Sequence, residues 1–336
     1  MTFARLLSLR DGRSVEVLRQ TPDGIRAAVS TDALCSFGAL HYELGDLRDL
    51  SELEGIDPNA PYMKVLRAGR VQRFSESRLS ALDLAAMCVR RTLEEARCDP
   101  RDVDALVLAS DRLLQSTSYP QLNGFLDQLG LSRTSVVGVG LSGCTNATVA
   151  LRTAAAFQRA ERCRRILVVS VDTLPSDPEH RIQPQGTCVF SDAALSFMVS
   201  PPGEGEFDVL GIEHESALHV GHLDMQGDTV RAMRDALGAP RAAVARLLSR
   251  ASLRPADIRG IFAANFIYGV ALAQARMCGF KESQCYFDNI PRFGHTYAGD
   301  PFINLKDSVT STGNRGLFVL VGSFTTSWDA VLVRRV

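Results

Sequence analysis

Ser135-Val136-Val137-Gly138-Val139-Gly140-Leu141-Ser142-Gly143-Cys144-Thr145-Asn146-Ala147 passes from a β-branched run through small, turn-forming residues into an alanine-rich segment. That order predicts a strand, a tight turn and a long helix, with Cys144 at the helix N-terminus. The free N–H groups and the positive end of the macrodipole there favour a thiolate, so Cys144 reads as a nucleophile rather than only a small core residue. Gly138, Gly140 and Gly143 also spell the fingerprint of a dinucleotide fold, which needs an acid about 20 residues on, at the end of the next strand. Here the strand Ile166–Asp172 delivers Asp172 too late and Glu161 lies in the helix, so the nicotinamide reading is set aside.

A chain of 336 residues, 46% hydrophobic, buries more than one simple domain needs, and two packed halves are expected. Its formal charge of −1 argues against general nucleic-acid binding, which takes a basic surface. No run of about 18 apolar residues occurs and no signal-type core follows Met1–Arg5, so a cytoplasmic protein with no membrane contact is expected. The cysteines are scattered without a CxxC pair, which suggests reduced thiols. His219 and His222 stand three apart with no further ligand at metal-site spacing, so no metal is expected.

The Asp23-Gly24 turn predicts a hairpin ahead of the main fold. Residues 35–41 read as a strand leading to a helix near 47–53, 67–73 as a basic loop, 79–96 as an amphipathic helix and 102–110 as a buried strand. Strands follow at 166–172 and 188–199, and Pro201-Pro202-Gly203-Glu204-Gly205 reads as a linker. Beyond it the pattern repeats. Pro100-Arg101-Asp102-Val103 recurs as Pro255-Ala256-Asp257-Ile258, Arg165-Ile166-Leu167-Val168-Val169 as Arg315-Gly316-Leu317-Phe318-Val319, and Asp192-Ala193-Ala194-Leu195 as Asp329-Ala330-Val331-Leu332. Matches in the same order indicate a duplicated α/β unit, residues 1–200 (with 1–34 as the extra hairpin) and 206–336. A shift of 151 residues carries Gly143-Cys144-Thr145 onto Gly294-His295-Thr296. Packing about a pseudo-twofold axis then brings Cys144 and His295 face to face, the arrangement of an activated nucleophile.

At this point the sequence resembles the thiolase superfamily, and within it the β-ketoacyl-acyl-carrier-protein synthase III family, from about Cys35 to the C-terminus. The resemblance rests on Gly143-Cys144, on Arg67-Ala68-Gly69-Arg70-Val71-Gln72-Arg73 for R-T-G-I-x-x-R, on Phe190-Ser191-Asp192-Ala193-Ala194 for F-G-D-G-A, on residues 223–230 for L-x-M-x-G-x-x-V, and on the Trp328 segment. It implies an α/β, thiolase-like fold of five layers, αβαβα, with two pseudo-twofold halves. It also implies a homodimer and a phosphopantetheine tunnel ending at the cysteine. Two helpers differ. The family's H-Q-A-N reads Phe262-Ala263-Ala264-Asn265, and its G-N-T reads Gly294-His295-Thr296.

Decarboxylative condensation needs two donors for the enolate oxygen, and phenylalanine offers none. What remains, Cys144 with His295 as base and Asp300 as the residue that orients it, looks like the family's small acyltransferase branch. The expected reaction is ping-pong: a coenzyme A or acyl-carrier-protein thioester acylates Cys144, and a hydroxyl or amine acceptor receives the acyl group, as in polyketide or antibiotic pathways. No tightly bound cofactor is expected. By resemblance, the oxyanion meets the N–H groups of Cys144 and Phe324, and Asn265, Phe262 and Tyr119 line the pocket, Tyr119 through the segment Ser118-Tyr119-Pro120 reaching across the dimer. Arg67 and Arg181 match positions that contact the nucleotide end of coenzyme A, and Arg276 and Lys281 are candidates to meet an acidic carrier protein. A surviving carbon–carbon condensing enzyme and a non-catalytic partner are the alternative readings.

Overall fold

The computed structural model describes residues 20–21, 24–25, 32–112, 117–183, 186–218, 220, 229–313 and 315–336. The first unit contains β1 (Gln20–Thr21) paired antiparallel with β2 (Gly24–Ile25), the hairpin that the Asp23-Gly24 turn predicts. The second unit is Ala33–Val336. Its strands are β3 (Cys35–Leu44), β4 (Asp46–Asp49), β5 (Arg73–Glu76), β6 (Ala105–Ala109), β7 (Ser135–Val139), β8 (Ile166–Asp172), β9 (Ala193–Ser200), β10 (Phe207–Ser216), β11 (Gly260–Phe262), β12 (Gly316–Ser323) and β13 (Ser327–Arg335). Its helices are α1 (Pro61–Ala68), α2 (Ala81–Glu95), α3 (Tyr119–Gln128), α4 (Asn146–Glu161), α5 (Pro178–Arg181), α6 (Thr229–Arg250), α7 (Tyr268–Met277), α8 (Asn289–Phe293) and α9 (Asp300–Thr312).

Among the described residues, nine strands form one sheet in the order β11-β12-β13-β10-β3-β9-β8-β6-β7. The two halves meet where Phe207–Val209 pairs with Cys35–Phe37, so they are joined by main-chain hydrogen bonds as well as by packing. The duplication is visible in the strand order. β6 is flanked in parallel by β7 and β8, and β11 lies parallel to β12, with an isolated parallel bridge from Ile261 to Cys285 in place of a fifth strand.

Alternation along the strands builds the layers, because successive side chains leave a strand on opposite faces. Ala105, Val107 and Ala109 join Ile166, Val168, Phe318 and Leu320 in one apolar cluster with Ala147, Ala150, Leu151 and Ala154 of α4 and Phe302, Ile303 and Leu305 of α9. The central layer is therefore the α4 and α9 pair, and the small side chains of α4 let the strands approach it closely. Leu106, Leu108, Leu167 and Val169 face outward onto Leu84, Val89 and Leu93 of α2 and Phe125 of α3. On the other half Ile261, Val319 and Val321 meet Val244, Leu247 and Leu248 of α6 and Ala275 of α7. This is the expected five-layered αβαβα, thiolase-like fold.

Two local readings are corrected. Residues 47–53 make β4 and only a 3₁₀ turn, Leu50–Glu52, because Asp46–Asp49 pairs antiparallel with β5. Residues 67–73 are not one loop: Arg67 and Ala68 end α1 and Arg73 begins β5.

Candidate active site

The nucleophile stands in a 3₁₀ turn, Gly143–Thr145, that runs directly into α4. Leu141, between β7 and this turn, and Gly143, which opens it, take positive φ, 65° and 51°. Gly143 is required twice over, since a Cβ there would also lie 2.2 Å from the Phe324 ring.

His295 lies between α8 and a second 3₁₀ turn, Tyr297–Gly299, which feeds α9. Its backbone is pinned on both sides: its N–H donates to the Val189 carbonyl (2.9 Å) and its own carbonyl accepts from Ser191 N–H (2.8 Å). The imidazole packs among the rings of Phe190 (centroids 5.2 Å apart), Phe266 (5.3 Å) and Tyr297 (6.1 Å). Its Nε2 lies 3.2 Å from Cys144 Sγ, and its Nδ1 is hydrogen-bonded to Asp300 Oδ2.

Asp300, the first residue of α9, is fully buried and heavily bonded. Its Oδ1 accepts from Thr296 N–H (2.7 Å), Thr296 Oγ1 (2.6 Å) and Asn265 Nδ2 (3.2 Å), and its Oδ2 also accepts from Asn265 N–H (2.6 Å). An ionised carboxylate can only accept, so the imidazole carries a proton on Nδ1 and turns Nε2 toward the sulfur. Cys144, His295 and Asp300 thus form the contiguous line that the spacing of residues suggested.

The electrostatics differ from the expected helix-stabilised thiolate. Burial pushes the Cys144 thiol up, and the facing His295 only partly offsets this. Burial pulls the imidazole down, but Asp300 and Cys144 outweigh it and carry His295 up to about 10. Part of that upward pull disappears once the sulfur is acylated, so the ring gives up its proton more readily and more of it stands neutral, a base available to an incoming acceptor.

The offset of the repeat is also corrected. The two 3₁₀ turns, Gly143–Thr145 and Tyr297–Gly299, are 154 residues apart, so the counterpart of Cys144 is Ala298 and His295 precedes the equivalent turn. It faces Cys144 because the bridge from Phe190 to His295 holds it there.

Other candidates are placed differently. Phe262 does not line the site; it is buried in the central core against Tyr286 and Phe318. Asn265 gives one amide N–H to Asp300 Oδ1 (3.2 Å), and its oxygen accepts from Asn304 Nδ2 (2.9 Å), which fixes the side chain behind Asp300. Phe324 does cover the nucleophile turn, but its N–H donates to the Ser327 carbonyl (2.8 Å) in the β12–β13 turn rather than toward the sulfur.

Arg181 is fully buried, donating to the carbonyls of Ser75, Phe190 and Leu174 and paired with Asp192 at 3.0 Å. It braces the fold and is out of reach of a nucleotide. Arg67 is exposed at the end of α1, Lys281 is exposed, and Arg276 reaches Glu282 at 3.4 Å. Tyr119 is 83% exposed at the start of α3, and the hydrophobic residues packed with Cys144 are Leu174, Tyr297 and Phe190. His219, His222 and residues 223–228 of the L-x-M-x-G-x-x-V match lie outside the described residues.

Sequence reasoning missed Phe266, Thr296, Tyr297 and Asn304. Among the described residues no group of His, Cys, Asp and Glu is arranged to hold a metal, and no helix is long and apolar enough to cross a membrane.

The family model of 3-oxoacyl-[acyl-carrier-protein] synthase III matches residues 141–217, which contain the nucleophile turn and Asp192. The β-ketoacyl-[acyl-carrier-protein] synthase III of Oceanobacillus iheyensis is 27% identical over 172 residues, 50% of this chain and 54% of that protein, so the match spans about half of the curated relative. Among solved structures, the acyltransferase ChlB3 superposes with a TM-score of 0.73 at 18% identity, covering 90% of this chain and 98% of the other. The priming β-ketosynthase of the R1128 polyketide pathway does so with a TM-score of 0.73 at 14% identity, covering 90% and 97%.

Proposed function

From a chain related to the ketoacyl synthase III family of thiolase-like proteins, with Cys144, His295 and Asp300 in one buried line, we propose an acyltransferase that works through an acyl-cysteine. A coenzyme A or acyl-carrier-protein thioester donates the acyl group, and a hydroxyl or amine receives it.

In the first half, the Cys144 proton passes to the imidazole, the sulfur attacks the thioester carbon, and the donor thiol leaves with a proton. In the second, His295 Nε2 removes the acceptor's proton, the acceptor oxygen or nitrogen attacks, and Cys144 leaves and is reprotonated. Asp300 keeps the imidazole in the tautomer both halves need.

The observation that carries the reading is what surrounds the pair. His295 is a base rather than a fixed neutral amide, Phe262 is turned into the core, and Asn265 is held behind Asp300 by its bonds to Asp300 and Asn304. A site of this kind lacks the paired donors that an enolate requires.

The match to a condensing relative in Oceanobacillus iheyensis favours a second reading, residual carbon–carbon condensation. Intact-protein mass spectrometry after incubation with a panel of acyl thioesters, followed by an acceptor screen, separates the two. Acyl addition to Cys144 discharged by an alcohol or amine supports transfer. Rapid carbon dioxide release from a malonyl thioester overturns it.

The ChlB3 and R1128 likenesses support a natural-product pathway. The exposed Tyr119 on α3 supports a homodimer, which sedimentation at micromolar concentration tests.

A further inference from the structure

Behind Asp300, on the side away from Cys144, three buried asparagines from three different segments run in a line to the surface. Asn265 Nδ2 donates to Asp300 Oδ1 (3.2 Å), Asn304 Nδ2 to Asn265 Oδ1 (2.9 Å), and Asn289 Nδ2 to Asn304 Oδ1 (2.9 Å). At the outer end Asn289 Oδ1 accepts from Arg292 Nη1 (2.5 Å). Arg292 and Asn289 both bind Asp307 Oδ2, at 2.8 and 3.0 Å, and Tyr42 donates to Asp307 Oδ1 at 2.9 Å.

The direction of every amide is fixed by a group that plays one role only. A guanidinium donates, so Asn289 presents its oxygen to Arg292 and its nitrogen inward. The Ala263 carbonyl accepts from Asn304 Nδ2 at 3.0 Å, and the Asp300 carboxylate accepts from Asn265. All three dipoles therefore point the same way, and aligned hydrogen bonds polarise one another. Asn304 lies between Ile303 and Leu305 on the buried face of α9, where an apolar residue of the same size would pack without the desolvation cost of an amide.

We propose that Asn289, Asn304 and Asn265 form a positioning relay that anchors Asp300 to the Arg292, Asp307 and Tyr42 cluster and so sets the orientation of the His295 imidazole. The ionisable groups facing the His295 and Asp300 pair are Cys144 on the nucleophile turn, Cys188 just before the Phe190 bridge, and Tyr297 on the following turn. Those facing the far end are Arg292, Asp307, Asp288, Tyr42 and Tyr286. The relay rests on the acyltransferase reading only in its transfer arm.

The test uses Asn304→Leu, which cuts the line in the middle, and Arg292→Met, a half-exposed change that removes the anchor and leaves the buried amides in place. The first measurement is the pH dependence of Cys144 alkylation by iodoacetamide, which needs no acceptor. Loosening Asp300 weakens its support of the imidazolium, which in turn supports the thiolate, so the rising limb moves to higher pH by roughly half a unit in Asn304→Leu and less in Arg292→Met. The second is single-turnover transfer from pre-acylated enzyme. There the thiolate is gone, the imidazole loses basicity, and the limb moves to lower pH while the plateau falls by about tenfold.

Opposite movement of the two limbs is what positioning produces; a merely structural loss lowers amplitude without moving either. Alkylation limbs that coincide with wild type in folded Asn304→Leu overturn the proposal, and if that variant does not fold, a coincident limb in Arg292→Met does so. If no acceptor is ever acylated, the acyltransferase reading fails while the alkylation arm still decides the relay.

Discussion

The two 3₁₀ turns that meet at the centre of the molecule occupy equivalent places in a duplicated fold, yet they are finished in opposite ways. Around the histidine turn every polar atom of Asp300 and Thr296 that could wander is bonded, and the histidine backbone is held at both its N–H and its carbonyl. Around the nucleophile turn valences are left open. Asn146 Nδ2, on the first turn of α4, and Ser323 Oγ, at the end of β12, are buried without a hydrogen-bond partner, although Asn146 Oδ1 is fixed by Ser142 N–H at 3.1 Å. An unsatisfied buried donor costs about 1–3 kcal/mol and calls for a reason. The difference teaches that the base is held by partners from its own chain, whereas the nucleophile's side keeps two buried polar groups that the described residues do not match.

The sharpest way to break that comparison is to remove the reactive group of each turn. Cys144→Ala should abolish acyl addition altogether, with a loss of at least about a thousandfold in transfer, and peptide mapping should find no adduct on the other cysteines. His295→Ala should cost about 10²–10⁴ in transfer from a pre-acylated enzyme and less in acylation, because the acceptor's proton has no other base nearby. Equal losses in both half-reactions, read by single-turnover kinetics, would mean that the two turns do not divide the labour.

A second pair of substitutions tests which turn is rigid. Gly294 and Gly143 both have positive φ, 67° and 51°, so alanine is strained at either. At Gly294 the new methyl would lie 2.7 Å from the Val189 carbonyl oxygen, the same oxygen that accepts from His295 N–H, and backbone cannot swing aside. At Gly143 the nearest atoms it meets belong to the Phe324 ring, a side chain that is 37% exposed and can shift at less cost than backbone. Gly294→Ala should therefore lower thermal stability more, by about 2–3 kcal/mol against roughly 1 for Gly143→Ala. Thermal unfolding of the two variants side by side checks it, and the reverse order would contradict a rigid histidine turn.

How much of this was legible in the chain follows from what kind of signal each residue carries. Cys144 was readable because strand, glycines and alanine-rich helix are local patterns, and the layered fold because the second half repeats the first in order. His295 was found through that repeat although the offset was three residues out; a shift in sequence does not say that Gly294 and the Phe190 bridge hold the histidine ahead of its helix. Arg181 and Phe262 were misplaced for one reason. Alignment to a family position fixes where the backbone goes, and burial decides where the side chain points: Arg181 turned in to satisfy Asp192 and three carbonyls, and Phe262 joined the core. The asparagine line was invisible, because its members are 265, 289 and 304 in sequence and become neighbours only in the folded chain.

The smallest effect is expected where the nucleophile turn meets solvent. If Phe324 contributed its N–H to an oxyanion, the ring would matter little and the main chain much; with the N–H donating to Ser327, the ring's task is to cover Gly143. Phe324→Ala removes part-exposed apolar surface and leaves the β12–β13 turn's main-chain bond in place, so about 1 kcal/mol of stability and a few-fold in Cys144 acylation should be lost. The substitution leaves the His295 and Asp300 pair and its hydrogen bonds in place, so the pH dependence of transfer from the pre-acylated enzyme should be that of wild type. Acylation rates and the transfer profile of one variant decide the matter: a loss of 10²–10³ in acylation, the size seen when an oxyanion donor goes, would show that truncating the ring reorganises the turn and that its N–H is recruited to the reaction after all.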